Sequence, residues 1–310
     1  MLFARELSPL IKKSASIRTF SFAKMATTTE KILTLKDGRA ISYREYGDLE
    51  GGYPVLFFHG NMNSRMFWPA WEKTLDQTVD AGARVIALDR PGYGKTSLDW
   101  DKRTYLQWGQ DVGEFCDTLG LESYATVGFS SGGPHSLACA ASNLKNMKCC
   151  AVVSPDAPYN LLGLCKKMFG AEELSKELCL SRAKHTYEDL ENSYKSMKKE
   201  HRREMALEDL KVAVESGLSG PSSDTFLESR PWGFDVKDIS IPTYLWFGRK
   251  DESVPFVSAT HLMNNLGNLQ RALIVGSESH TMIRRYWRDI LNTVVKHPEK
   301  SVTGKRLTRM

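Results

Sequence analysis

The sequence predicts an α/β fold built on a mostly parallel sheet, with a helical insertion in its second half. Three observations carry that prediction. Apolar strand-like runs alternate with helical patterns through the first half, the rhythm of right-handed strand–helix–strand crossovers. Runs such as Pro54-Val55-Leu56-Phe57-Phe58 are continuously apolar, as strands covered on both faces are. The rhythm stops at Ser154-Pro155-Asp156 and resumes at Pro242, with helical, strand-free pattern between.

Composition narrows the class. A chain of 310 residues suits one large domain, or one domain carrying an inserted subdomain. No run of about 18 apolar residues is present, so no transmembrane helix is expected. The formal charge of +5 sits at the ends, in Arg5, Lys12, Lys13, Arg18 and Lys24 and again in Lys300, Lys305, Arg306 and Arg309. The body between them is mildly acidic, the wrong balance for a nucleic-acid surface. Cys116, Cys139, Cys149, Cys150, Cys165 and Cys179 show no metal-ligand spacing. Three of them fall in apolar patterns, which points to buried free thiols and a reducing compartment.

Residues 1–25 are rich in Ser, Arg and Lys, and amphipathic through Leu2, Phe3, Leu7, Leu10 and Ile11. That is the composition of a transit peptide. Arg18-Thr19-Phe20-Ser21 resembles a mitochondrial processing site with the cut after Phe20. The alternative is a disordered leader on a cytoplasmic protein, or a working start at Met25. Lys31 to Tyr46 reads as a hairpin around Asp37-Gly38. A helix is expected over Phe67–Ala81, a strand over Arg84–Leu88 and a helix over Thr104–Leu119. A strand at Tyr124–Val127 leads into a small-residue helix at Pro134–Ala141, and another strand spans Met147–Val153. Residues 159–238 read as a helical cap inserted into a core of residues 26–158 and 239–298, with Gly217 to Asp224 a loop inside it. Strands return at Pro242–Phe247 and Gln270–Val275. An amphipathic helix over Met282–Lys296 closes the core before a basic tail at 299–310.

Gly128-Phe129-Ser130-Ser131-Gly132 fits the G-x-S-x-G nucleophile elbow, where a strand turns sharply into a helix with serine at the apex. The flanking glycines leave room for the neighbouring strand and helix. A serine hydroxyl becomes a nucleophile at neutral pH only if a base takes its proton, and an acid must hold that base in one tautomer. Seven histidines compete for the base. His280 alone follows a strand downstream of the serine, in Gly276-Ser277-Glu278-Ser279-His280, at the sheet edge where ligands of open α/β sheets gather. The acid is Asp251, just past the penultimate strand, or Asp156, just before the cap. An oxyanion needs two preorganised donors. The amide of Ser131 is one. The loop His59-Gly60-Asn61-Met62-Asn63 offers the other from Asn61, or from Met62 if the turn is one residue longer.

With these residues in view the chain resembles the α/β-hydrolase fold superfamily, in its cap-bearing, esterase-like branch. The matching elements are His59-Gly60, the turn Asp89-Arg90-Pro91-Gly92-Tyr93-Gly94, the elbow followed by Gly132-Gly133-Pro134, Gly248 to Pro255 around Asp251, and His280. The resemblance spans Lys31 to Lys296. It implies an eight-stranded, mostly parallel sheet with a cap over a Ser130–His280–Asp251 triad. Serine at the elbow sets the chain apart from the branch's aspartate-bearing dehalogenases and epoxide hydrolases. The expected activity is cofactor-free and metal-free hydrolysis of a small to medium carboxylic ester, through an acyl enzyme. Tyr159, Leu161, Leu162, Met168, Phe169, Phe226, Trp232 and Phe234 near the cap's ends suggest an apolar acyl or alcohol group on the substrate, or serve the packing of the cap's own helices. Thioester, amide or carbon–carbon cleavage, a lyase or transferase, and a non-catalytic small-molecule receptor are the alternatives.

Overall fold

A computed structural model describes residues 25–27, 29–66 and 73–297. The leader up to Lys24 and the basic tail lie outside the described residues. Among the described residues nine strands form one sheet: β1 (Met25–Thr27), β2 (Lys31–Thr34), β3 (Ala40–Asp48), β4 (Tyr53–Phe58), β5 (Ala83–Leu88), β6 (Tyr124–Phe129), β7 (Met147–Val153), β8 (Thr243–Gly248) and β9 (Leu269–Val275). Their order is β1-β3-β5-β4-β6-β7-β8-β9, and β2 also pairs with β3. β1 pairs with residues 46–48 of β3 and β2 with residues 40–43, while β5 takes the opposite edge. The sheet is therefore eight positions wide. It is antiparallel at the β1/β2/β3/β5 end and parallel from β5 to β9.

The pleat divides each central strand between two cores. Leu56 and Phe58 of β4 face the cluster with Trp108, Val112 and Phe115 of α2 (Tyr105–Thr118) and Leu137 of α3 (Gly132–Ala141). Val55 and Phe57 face Trp287, Ile290, Leu291 and Val294 of α9 (Ile283–Lys296). The three- and four-residue spacing along α9 gives it one apolar stripe on the sheet and a charged outer face. Thr104 caps α2 by accepting from the Gln107 amide, 3.0 Å, which satisfies an otherwise orphaned donor. Helix α1 covers Thr74–Asp80; the first part of the helix expected from Phe67 lies outside the described residues. Helix α8 (Phe256–Asn265) follows β8.

Between β7 and β8 lie α4 (Cys165–Phe169), α5 (Lys176–Lys195), α6 (Glu200–Ala213) and α7 (Ser219–Glu228). Helix α7 corrects the loop expected over Gly217 to Asp224. Gly, Pro and Ser signal a break by propensity, but here they are small residues at a close approach. A Cβ on Gly220 would sit 2.5 Å from the backbone of Gly92 and 2.9 Å from the Tyr93 ring. Burial of Gly220 through Asp224 against that turn outweighs local preference. All six cysteines are buried free thiols. No helix among the described residues is long and apolar enough to cross a membrane.

Candidate active site

The chain runs outward from β4 to β5 and then crosses back to β6, so the sheet's topological switch lies between β4 and β6. Ligands of open α/β sheets bind outside the carboxyl ends of strands at such a point. Six parallel strands end at that edge, and the loops after β4, β6, β7, β8 and β9 meet there.

Ser130 follows β6 at φ 53°, a left-handed conformation that side chains rarely adopt. The turn is held by its amide donating to the Val153 carbonyl (3.0 Å) and its carbonyl accepting from the Gly133 amide (2.7 Å). Glycine is required on both sides. A Cβ on Gly132 would fall on the Phe58 carbonyl oxygen, and one on Gly128 on the Gly132 carbonyl oxygen. The strand and helix pack at backbone distance, and the serine is left at the apex.

Asp251 and His280 arrive on two loops tied together by backbone. The Lys250 amide donates to the Glu278 carbonyl and the Arg249 amide to the Val275 carbonyl, both 2.9 Å. Gly248 lets these loops touch, since a Cβ there would run into the Glu278 carbonyl. The Asp251 carboxylate is buried. Its Oδ1 accepts from the amides of Ser253 (2.9 Å) and Val254 (2.8 Å), and its Oδ2 accepts from His280 Nδ1 at 2.8 Å. A carboxylate on Nδ1 fixes the proton there and leaves the Nε2 lone pair facing outward. Nε2 lies 3.1 Å from Ser130 Oγ, which donates to it. Hydroxyl, imidazole and carboxylate form one hydrogen-bonded chain, with the Phe129 ring 5.0 Å from the imidazole.

Asp156 also reaches this region. It is buried, and its Oδ1 accepts from Tyr159 Oη at 2.5 Å. Burial raises its pKa against the opposing effects of that hydrogen bond and of the His280 charge. His280 Nδ1 is taken by Asp251, so Asp156 stands beside the chain rather than in it.

The loop after β4 folds into a turn in which the Asn63 amide donates to the Gly60 carbonyl, 3.3 Å, with Met62 at φ 56°. A Cβ on Gly60 would stand 3.2 Å from Ser130 Cβ, so this turn lies directly against the serine. Asn61 is partly exposed and Ser131 is buried at the start of α3. Among the described residues no hydrogen bond engages the amide of either. The space between them offers two free donors beside a hydroxyl hydrogen-bonded to an imidazole, the arrangement that addition of a hydroxyl to a carbonyl would need.

The other histidines have different work. His59 is buried, donates from Nδ1 to the Gly60 carbonyl (2.8 Å) and accepts from the Arg90 amide at Nε2 (3.1 Å). His135 donates from Nδ1 to the Ser131 carbonyl (2.7 Å) and accepts from Arg103 at 2.7 Å. Burial, reinforced by the neighbouring Arg90 charge, holds both imidazoles well below their ordinary pKa and therefore neutral. Of the apolar residues near the cap's ends, Tyr159 and Phe169 pack on each other (ring centroids 5.6 Å), Trp232 joins the α2–α3 core, and Leu161 is 71% exposed.

Several buried polar residues shape the region, and their sequence shows at most a helical spacing. Asp224 of α7 is fully buried and pairs with Arg90 and, at 3.1 Å, with Arg103; Tyr93 Oη donates to it at 2.6 Å. Glu228, one turn further on, is buried beside Asp156, and burial lifts its pKa well above the carboxylate range. Asp209 of α6 is buried against the β4 loop. Ala206, Asp209, Leu210 and Ala213 share the buried stripe of that helix; its 3.6-residue spacing was the available clue. Among the described residues no cluster of His, Cys, Asp and Glu could hold a metal ion.

Comparison with known proteins agrees with this architecture. The family model for the alpha/beta hydrolase fold matches residues 53–278. The chain is 36% identical over 106 residues to a non-heme chloroperoxidase, CPO-A1, of Kitasatospora aureofaciens, a match covering 33% of this chain and 35% of that protein. It is 26% identical over 228 residues to the AB hydrolase superfamily protein YisY of Bacillus subtilis, 71% of this chain and 82% of that one. An esterase from Exiguobacterium antarcticum superposes with a TM-score of 0.65 at 20% identity, over 88% of this chain and all of that one; this last likeness is one of fold. A family match over most of the chain, on a sheet of this order, settles the point: the chain belongs to the alpha/beta hydrolase fold family.

Proposed function

We propose that the protein is a serine hydrolase that cleaves carboxylic esters through an acyl enzyme. The observation that carries this reading is the unbroken hydrogen-bonded chain from Asp251 through His280 to Ser130 at the carboxyl edge of the sheet. In this reading Ser130 Oγ attacks the ester carbonyl as His280 Nε2 takes its proton. Asp251 keeps the imidazole in the reactive tautomer and stabilises the imidazolium. The amides of Asn61 and Ser131 hold the tetrahedral oxyanion. His280 then returns the proton to the departing alkoxide. A water molecule, deprotonated by the same nitrogen, releases the acid and restores Ser130. No redox group or metal takes part.

Asp156 is the reserve acid. Residues 159–238 act as the cap over this edge, and the preferred substrate is a small to medium ester with an apolar group. The test is covalent labelling with a fluorophosphonate together with turnover of p-nitrophenyl esters of increasing acyl length. A single adduct on Ser130 is expected, and Ser130→Ala should lose roughly a millionfold in kcat, the scale seen when a triad serine is removed. No adduct would favour a non-catalytic small-molecule receptor. Unchanged turnover in the variant would remove Ser130 from the chemistry.

A further inference from the structure

The loop that carries Asn61 is gripped from two sides. On the core side the buried Asp89 accepts from the Arg65 amide at 2.7 Å and pairs with the Arg65 guanidinium. On the other side the grip comes from the helical segment. Asp209 Oδ2 accepts from Asn63 Nδ2 (2.9 Å), and its Oδ1 accepts from both the Ser64 amide (2.9 Å) and the Ser64 hydroxyl (2.6 Å). Beside these bonds the Met62 side chain, 2% exposed, packs on Ala183 of α5 and Leu210 of α6. The turn thus docks on the helices by one apolar knob and three polar bonds.

Helix α6 has no need of a carboxylate at that place for its own stability. Ala206, Leu210 and Ala213 fill the rest of the stripe, and an apolar residue would satisfy it at lower desolvation cost. What the carboxylate satisfies is the loop. Its partner Asn63 closes the turn on Gly60, and Gly60 lies against Ser130. A shift at Asn63 or Ser64 therefore moves the Asn61 amide relative to the serine hydroxyl, and oxyanion donors act only from fixed positions.

We propose that Asp209 is a positioning residue for the oxyanion hole, through which the seating of α5 and α6 sets the Asn61 amide. This inference rests on the acyl-transfer reading above. It makes the helical segment part of the machinery that stabilises the transition state, in addition to covering the site.

The test uses the full chain and the variants Asp209→Leu, Asp209→Asn and Ser64→Ala. Two quantities are read: kcat and KM for p-nitrophenyl butyrate, and affinity for an alkyl trifluoromethyl ketone, which forms an oxyanion adduct with the nucleophile. Asp209→Leu should lower kcat by roughly 10- to 100-fold, part of what loss of an oxyanion donor costs, with KM within about twofold. Ketone affinity should fall by a similar factor. Asp209→Asn keeps an acceptor for Ser64 and should stay within about fivefold of wild type, and Ser64→Ala should fall between the two. If Asp209→Leu does not fold, the other two variants decide, because each removes only part of the grip. Wild-type kcat and ketone affinity in folded Ser64→Ala, or a loss confined to KM, would overturn the inference. Failure of the acyl-transfer reading looks different: Ser130→Ala would keep its turnover and no phosphonate adduct would form.

Discussion

Replacing Asp251 by asparagine separates orientation of the imidazole from mere occupancy of the site. The change is nearly isosteric, and the surroundings decide which way the new amide points. The position of Oδ1 receives two backbone donors, Ser253 N–H and Val254 N–H. An NH2 group there would set three donors against one another, so the amide oxygen takes that place. The NH2 then occupies the Oδ2 position, 2.8 Å from His280 Nδ1. Two donors cannot face each other, so His280 shifts its proton to Nε2 and presents N–H to Ser130 at 3.1 Å. The base is lost although every heavy atom stays in place. The equivalent wrong tautomer in serine proteases costs about 10⁴ in kcat, or roughly 5.5 kcal/mol of barrier. We expect that loss in kcat for p-nitrophenyl butyrate, little change in KM, and a parallel fall in the rate of phosphonate labelling. Asp156→Asn is the control and should cost less than about tenfold, since its partner is Tyr159. If Asp251→Asn loses less than tenfold, or Asp156→Asn loses as much, the tautomer argument is wrong and Asp156 is the orienting acid.

Three further outcomes follow from the packing. Gly132→Ala should destabilise the fold by about 2–3 kcal/mol, because its methyl lands on the β4 backbone; an unchanged urea midpoint would contradict the close approach of β4 and α3. Asp224→Ala leaves Arg90 and Arg103 buried without their carboxylate and should cost about 3–5 kcal/mol in the same assay; a loss below about 1 kcal/mol would mean the pair is solvated. Asp209 gives a pH signature. Burial and, more weakly, the Asp89 charge lift its carboxyl to about 7 against the donors from Ser64 and Asn63, while an unfolded chain titrates it near 3.8. Between those values the native state holds the extra proton, so this group's contribution to stability falls as pH rises from 4 to 7, by up to about 4 kcal/mol. The stability gap between Asp209→Asn and wild type should move in the variant's favour across that window; a constant gap from pH 4 to 8 would refute it.

Much of the framework is legible in the residues because it rests on local rules. Continuous apolar runs mark the buried parallel strands β4, β5 and β7, since both faces of each must be covered. The elbow glycines are legible for a steric reason that acts within a few residues of the serine. Ser130, Asp251 and His280 could be named because each follows a strand, and parallel strands of one sheet end at one edge. Asp251 is preferred to Asp156 in the sequence by its place a short turn past β8, and backbone contact between the β8 and β9 loops brings it to His280 Nδ1.

What the tertiary structure alone decided lies where distant segments meet. Helix α7, Ser219–Glu228, defeats propensity because its small residues are selected by contact with Gly92 and Tyr93, far away in sequence. Asp209, Asp224 and Glu228 read as charges on helix faces, and a charge on a helix is ordinarily solvated. Their burial depends on which surface each helix covers: the oxyanion-side loop for Asp209, the Arg90–Arg103 pair for Asp224, and the neighbourhood of Asp156 for Glu228. Periodicity says that a helix has a buried side; the partner on that side is a property of the assembled fold. The sequence by itself therefore determined the sheet, the elbow and the chain order of Ser130, Asp251 and His280. Folding determined how the inserted helices grip the loop beside the serine, because that grip is made of contacts between residues about 145 positions apart.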